Sequence, residues 1–153
     1  MRRILIAVVA ATLLAAMTAP AGASPPSGVD IGADQYFAGT GTFTADGAAV
    51  DDGVVCGAGE TLDVFGKVSG NGVKGYNIQL VKEFTCGDGS GSFFVKLQVK
   101  VFFTGPLLSS FQWTVVGGDG AYSDLHGSGT GVGLPPNSGF DIFDVYSGGL
   151  HID

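Results

Sequence analysis

Residues 76–103, YNIQLVKEFTCGDGSGSFFVKLQVKVFF, decide the fold. In the second arm Phe93, Val95, Leu97, Val99, Val101 and Phe103 fall on one side, with Lys96, Gln98 and Lys100 between them on the other. Alternation of this length is the pattern of a half-buried strand, because successive side chains of a strand point to opposite faces. The first arm repeats it, with Tyr76, Ile78, Leu80 and Phe84 on one face and Asn77, Gln79, Glu83 and Thr85 on the other. Gly87-Asp88-Gly89-Ser90-Gly91 links the arms and supplies the positive-φ and Asx-type residues that a tight reversal needs.

Upstream, the chain reads as further short strands. Residues 34–44 carry Tyr36, Phe37 and Phe43 around Gly39 and Gly41, a first strand bent at its glycines. Residues 50–57 form a second strand ending near Cys56, and residues 60–68 a third, with Leu62, Val64 and Val68 opposite Asp63, Phe65 and Lys67. Ser69-Gly70-Asn71-Gly72 is a turn into the hairpin, since Asn-Gly favours the primed turns that join antiparallel strands.

Downstream, Thr104-Gly105-Pro106 breaks the pattern, residues 111–116 form a sixth strand with the sole tryptophan, Trp113, and Leu134-Pro135-Pro136-Asn137 turns the chain again. Counting strands within 125–132 and 140–152 gives about eight, punctuated by turns and with no helical period. The class is all-β, a barrel or a sandwich.

The N-terminus is set apart from this domain. Arg2 and Arg3 precede an apolar run from Ile4 to Met17, followed by Pro20-Ala21-Gly22-Ala23. That is the layout of a secretory signal peptide, residues 1–23, and the run is shorter than the roughly 20 apolar residues of a membrane anchor. Residues 24–33, with Pro25-Pro26, read as a flexible linker, and 34–153 as one domain. The expected location is extracellular. Past residue 23 there are five lysines, no arginine and all 14 acids, a formal charge of −9. That balance disfavours nucleic acid and anionic membrane surfaces as partners. Cys56 and Cys86 are the only cysteines, so export makes one disulfide between them the default.

The glycine-dense segment Trp113-Thr114-Val115-Val116-Gly117-Gly118-Asp119-Gly120-Ala121-Tyr122, followed by Leu125-His126-Gly127-Ser128-Gly129-Thr130-Gly131, resembles the V-x-G-G-T-G-x-Y/F-x-x-x-x-G segment of the dirigent and allene oxide cyclase-like barrels. That superfamily includes small secreted actinobacterial proteins, and Asp119 here stands where its pattern often has threonine. The resemblance implies an eight-stranded antiparallel β-barrel with a central cavity for apolar or phenolic molecules. No catalytic residue of those barrels maps onto this chain. In physical terms, the glycines permit a sharp bend and Tyr122 can cover it while its hydroxyl finds a partner.

Tests for chemistry return little. Gly118-Asp119-Gly120 lacks the aspartate and the repetition of a calcium-binding glycine repeat. There is no G-x-x-x-x-G-K-S/T for phosphate, no G-x-S-x-G or S-x-x-K for a nucleophile, and no cysteine–histidine cluster for a metal. Asp124 and His126 share a strand parity and read as a solvated pair. Glu60 with Glu83 is a remote acid pair for glycoside chemistry. On 140–152, Asp141, Phe143, Val145 and His151 oppose Ile142, Asp144, Tyr146 and Leu150, so Asp141 or Asp144 is a candidate polar point in a cavity.

The expectation is therefore a secreted, disulfide-linked barrel that binds a small apolar or aromatic ligand without catalysis, metal or cofactor. Tyr76, Trp113, Asp144 and Tyr146 are the candidate cavity residues. Two alternatives stand beside it: a dirigent- or cyclase-like barrel that guides a reactive intermediate with an interior acid such as Asp144 or Glu83, and a structural or interaction module of the cell exterior.

Overall fold

A computed structural model describes residues 25–70, 75–136 and 139–153. Eight antiparallel strands each pair with their neighbours in sequence, and the last closes on the first to complete a barrel. They are β1 (Ser27–Gln35), β2 (Thr40–Asp46), β3 (Ala58–Ser69), β4 (Tyr76–Cys86), β5 (Ser92–Val101), β6 (Ser109–Gly118), β7 (Leu125–Leu134) and β8 (Ile142–Ile152). Among the described residues, closure leaves no sheet edge unpaired. Residues 1–23, read above as a signal peptide, and the turn residues Asn71-Gly72 and Asn137 lie outside the described residues.

The hairpin forms as its alternation requires. β4 and β5 pair in register from Tyr76 with Val101 to Thr85 with Ser92, and Phe93, Val95 and Leu97 are buried. Phe103 is the exception: β5 ends at Val101, and Phe103 lies beyond it, half exposed, with its ring 5.4 Å from that of Tyr76.

Two upstream readings are corrected. The linker assigned to 24–33 contains most of β1, where Val29, Ile31 and Ala33 are buried between outward Asp30, Gly32 and Asp34. The single bent strand of 34–44 is a hairpin turn at residues 36–39 between β1 and β2. Residues 50–57 form no strand. One helical turn, α1 (Ala48–Asp51), and the loop after it place Ala49, Val55 and Cys56 across the end of the barrel. One strand gained and one lost leave the total at eight.

The barrel is filled unequally along its axis. Its closed half is a solid core in which Phe84 stacks on Phe93 at 5.0 Å and meets Phe43 and Tyr146 edge-on at 5.1 and 5.6 Å. The Cys56–Cys86 disulfide ties the plugging loop to the end of β4. Beside it the 3₁₀ turn Gly120–Tyr122 buries Tyr122, whose hydroxyl meets Ser90 Oγ at 2.7 Å. Asp119 is committed to the same corner, its carboxylate accepting from the Ser92 amide at 2.9 Å and from Ser92 Oγ at 3.3 Å.

β7 explains how a tryptophan fits inside so small a barrel. Gly127, Gly129, Gly131 and Gly133 occupy its inward positions, opposite the large side chains of β6 and β8. Trp113 lies over Gly129 and Gly148 and donates from Nε1 to the Thr130 carbonyl at 3.1 Å. A Cβ at position 129 would stand 2.7 Å from Trp113 Cε2. Gly129→Val is therefore expected to lower stability by about 2–3 kcal/mol, as overpacking of a filled core does, measured as the shift of the urea midpoint.

Candidate functional site

Lys82 organises the open half. Its position on β4, two residues from Leu80 and two from Phe84, turns it inward, and its side chain is wholly buried. An unpaired buried ammonium costs several kcal/mol, and three strands answer it. The Nζ donates to Gln35 Oε1 on β1 and to Asp144 Oδ2 on β8 at 3.3 Å, and lies 3.8 Å from Asp63 Oδ1 on β3. Gln35 Nε2 donates in turn to Asp63 Oδ1 at 2.9 Å. Lys82 also stands 5.8 Å from the centroid of the Tyr146 ring, within cation–π range.

A β-bulge aims Asp63. The register of β3 against β4 shifts between Asp63 and Phe65, leaving Val64 as the extra residue. Thr61 and Asp63 therefore face inward before it, and Gly66 and Val68 share the inward side after it. This corrects the face assigned to Leu62 and Val64, which are both exposed. Gly39, at φ +94°, holds the β1–β2 turn against Asp63, where a Cβ would come within 2.9 Å of Asp63 Cβ. The Asp63 amide donates to the Gly39 carbonyl at 2.7 Å. Asp141 faces out and secures the same turn, accepting from the Phe37 amide at 2.8 Å.

Burial raises the proton affinity of Asp144 above the ordinary carboxylate value, against the opposing pull of Lys82. Asp63 is raised likewise, by burial first, with Lys82 and Gln35 lowering it. The Tyr146 hydroxyl is pushed well up by burial and by the two carboxylates, so it stays neutral. Among the described residues it has no hydrogen-bond partner.

Beyond this ionic tier the barrel is hollow. A cavity of about 590 Å³ is walled by Ile78, Leu80, Leu97, Val99, Val101, Phe111 and Ile142. Gln35, Asp63, Ser109 and Asp144 supply its polar lining. The volume lies within the range of small-molecule sites, and so does the pattern of apolar walls with a few convergent polar groups. Around the mouth gather Tyr36, Phe37, Phe65, Val68, Tyr76, Phe102 and Phe103, most of the exposed large apolar side chains among the described residues; Phe37 is 80% exposed.

The chain matches no family model, no curated protein and no solved structure. The site therefore stands on its geometry.

Of the four residues expected in a cavity, Asp144 alone lines it. Trp113 and Tyr146 are buried, with their rings 6.5 Å apart in the packed interior, and Tyr76 stands on the rim against Phe103. Glu83 does not face the interior: it lies on the outward side of β4 and accepts from Ser92 Oγ at 2.9 Å. Glu60 is exposed, so the two acids present no pair to the cavity. His126 contacts Asp153 at 3.2 Å and stacks on His151, while Asp124 accepts from Ser123.

A larger concavity of about 970 Å³ lies on the outer face of β4–β8, lined by amides and hydroxyls such as Gln79, Gln98, Gln112, Thr130 and Ser147. Among the described residues, no buried charge opens into it. The interior cavity, with its ionic tier, is the better-built site.

Proposed function

We propose that the chain is an exported barrel that holds one small apolar or aromatic molecule in its open half and does no chemistry on it. The observation that carries this reading is the division of the interior: one half packed solid, the other an apolar chamber ending on buried charge. A barrel built only for stability would be filled throughout, because unfilled apolar volume costs about 24 cal/mol per Å³. The disulfide supports export, since such bonds persist in oxidising compartments. The apolar rim supports entry of a poorly soluble molecule from that end.

A dirigent- or cyclase-like role is the second reading. Asp144 favours it, as a carboxylate of raised proton affinity at the wall of an apolar chamber is suited to general acid or base work. The exposed rim favours a third, an interaction module, by its concentration of aromatic side chains.

Titration with N-phenyl-1-naphthylamine, an uncharged probe whose emission rises in apolar surroundings, tests the carrier reading. One saturable site is expected in the native protein. Leu80→Trp, which fills the chamber from its wall, is expected to weaken that binding at least tenfold while leaving the circular dichroism of the barrel unchanged. Equal binding by the two proteins would place the probe elsewhere.

A further inference from the structure

The carrier reading leaves the polar end of the ligand undefined, and the ionic tier defines it. Lys82 is the one cation of the tier and its side chain is wholly buried. Its ammonium is turned onto Gln35, Asp144 and Asp63, so it offers nothing to a molecule in the chamber. What does border the chamber is a pair of carboxylates. Asp63 takes its contacts from Gln35 and Lys82 through Oδ1, and Asp144 takes its contact from Lys82 through Oδ2. Among the described residues, Asp63 Oδ2 and Asp144 Oδ1 have no donor. The Asp144 side chain is 10% exposed and that of Asp63 26%, so the two bare oxygens face the open chamber that a ligand would fill.

The charge count points the same way. Two carboxyl groups face one ammonium, so with both ionised the tier carries an excess of one negative charge at the end of an apolar chamber. A carboxylate ligand would bring a third negative charge to a single positive one. A ligand ending in a cationic donor would complete a two-against-two arrangement and satisfy a bare oxygen by a charge-assisted hydrogen bond.

We infer that the chamber selects, among apolar molecules of one size, those ending in a protonated primary amine, with the ammonium seated against Asp144 and Asp63 and the chain along Leu80, Leu97 and Val99. This rests on the carrier reading.

The test is calorimetric titration of the disulfide-bonded protein at neutral pH with decylamine, 1-decanol and decanoate, which share a chain and differ in the head group. Decylamine is expected to bind at least tenfold more tightly than decanol, and decanoate at least tenfold more weakly. Asp144→Asn is expected to bring the amine-to-alcohol ratio down towards one. Asp63→Asn, at the more exposed of the two acids, is the second variant and is expected to lower the ratio in the same direction should Asp144→Asn fail to fold. Equal affinities for the three ligands, or tightest binding of decanoate, would overturn the amine preference and leave the carrier reading intact. Failure of all three to bind would overturn the carrier reading itself, and the amine preference with it.

Discussion

Replacing Lys82 with methionine is expected to lower the stability of the barrel by about 3–5 kcal/mol at pH 8, the usual cost of removing one partner from a buried ionic group. The apolar replacement fills much of the lysine's volume, so the loss reports charge more than packing. It leaves Asp63 and Asp144 facing one another without their cation, and Lys82 is the principal influence holding their proton affinities down. The sign of the pH dependence follows. Both acids already bind protons more tightly folded than unfolded. Their contribution to stability is therefore complete below the unfolded carboxylate value of about 3.9, and is lost as pH rises through their raised folded values. Without Lys82 those folded values climb further, so the penalty in the variant should shrink markedly between pH 8 and pH 4.5. Urea unfolding of both proteins at the two pH values measures it. A loss below about 1 kcal/mol at pH 8, the ordinary range of a surface pair, would mean that Lys82 is not the buried centre described above.

The second large effect concerns the closed end. Changing Cys56 and Cys86 together to serine is expected to cost about 3–4 kcal/mol, from the chain entropy released by opening a loop of 30 residues. The loss should be global, because the loop that the bond anchors carries Val55 and follows Ala49, both buried against the core. Urea midpoints of the oxidised native protein and the double variant give the difference. Retention of native stability would show that packing of Val55 and Ala49 holds the plug without the bond.

Local rules made the hairpin and the disulfide legible. Period-two alternation in both arms states which residues go inward, and a sequence with two cysteines allows only one pairing. β1 was harder: Asp30 and Gly32 look like linker, yet they belong to the outward half of an alternation whose inward half is Val29, Ile31 and Ala33. The bulge at Val64 has no counterpart in the pattern of 60–68, and it alone puts Asp63 inside and Leu62 outside. The glycines of 127–133 carried a readable period of two, but their meaning depends on Trp113 and Phe111 lying opposite, which only pairing reveals.

The site itself left one readable trace. Lys82 shares the parity of Ile78, Leu80 and Phe84, whereas Lys96 and Lys100 fall between the apolar residues of β5. A lysine on the apolar parity, in the middle of a strand, asks for buried carboxylates. Which carboxylates answer it is a matter of barrel closure: Asp144 lies 62 residues away in sequence and Gln35 lies 47. The cavity was hidden for the same reason, since aromatic content does not distinguish Trp113 and Tyr146 in a packed half from Leu80 and Val99 around an open one.

Methyl chemical-shift mapping tests the division of the interior into a packed and an open half most directly. With isotope-labelled Leu, Ile and Val methyl groups and 1-decanol as titrant, the methyls of Ile78, Leu80, Leu97, Val99 and Val101 are expected to shift together and to saturate at one equivalent. Those of Val29, Val55, Leu125 and Leu150, packed in the closed half, should stay in place. Shifts confined to outward residues such as Val132 and Val145, or spread evenly over both halves, would contradict it.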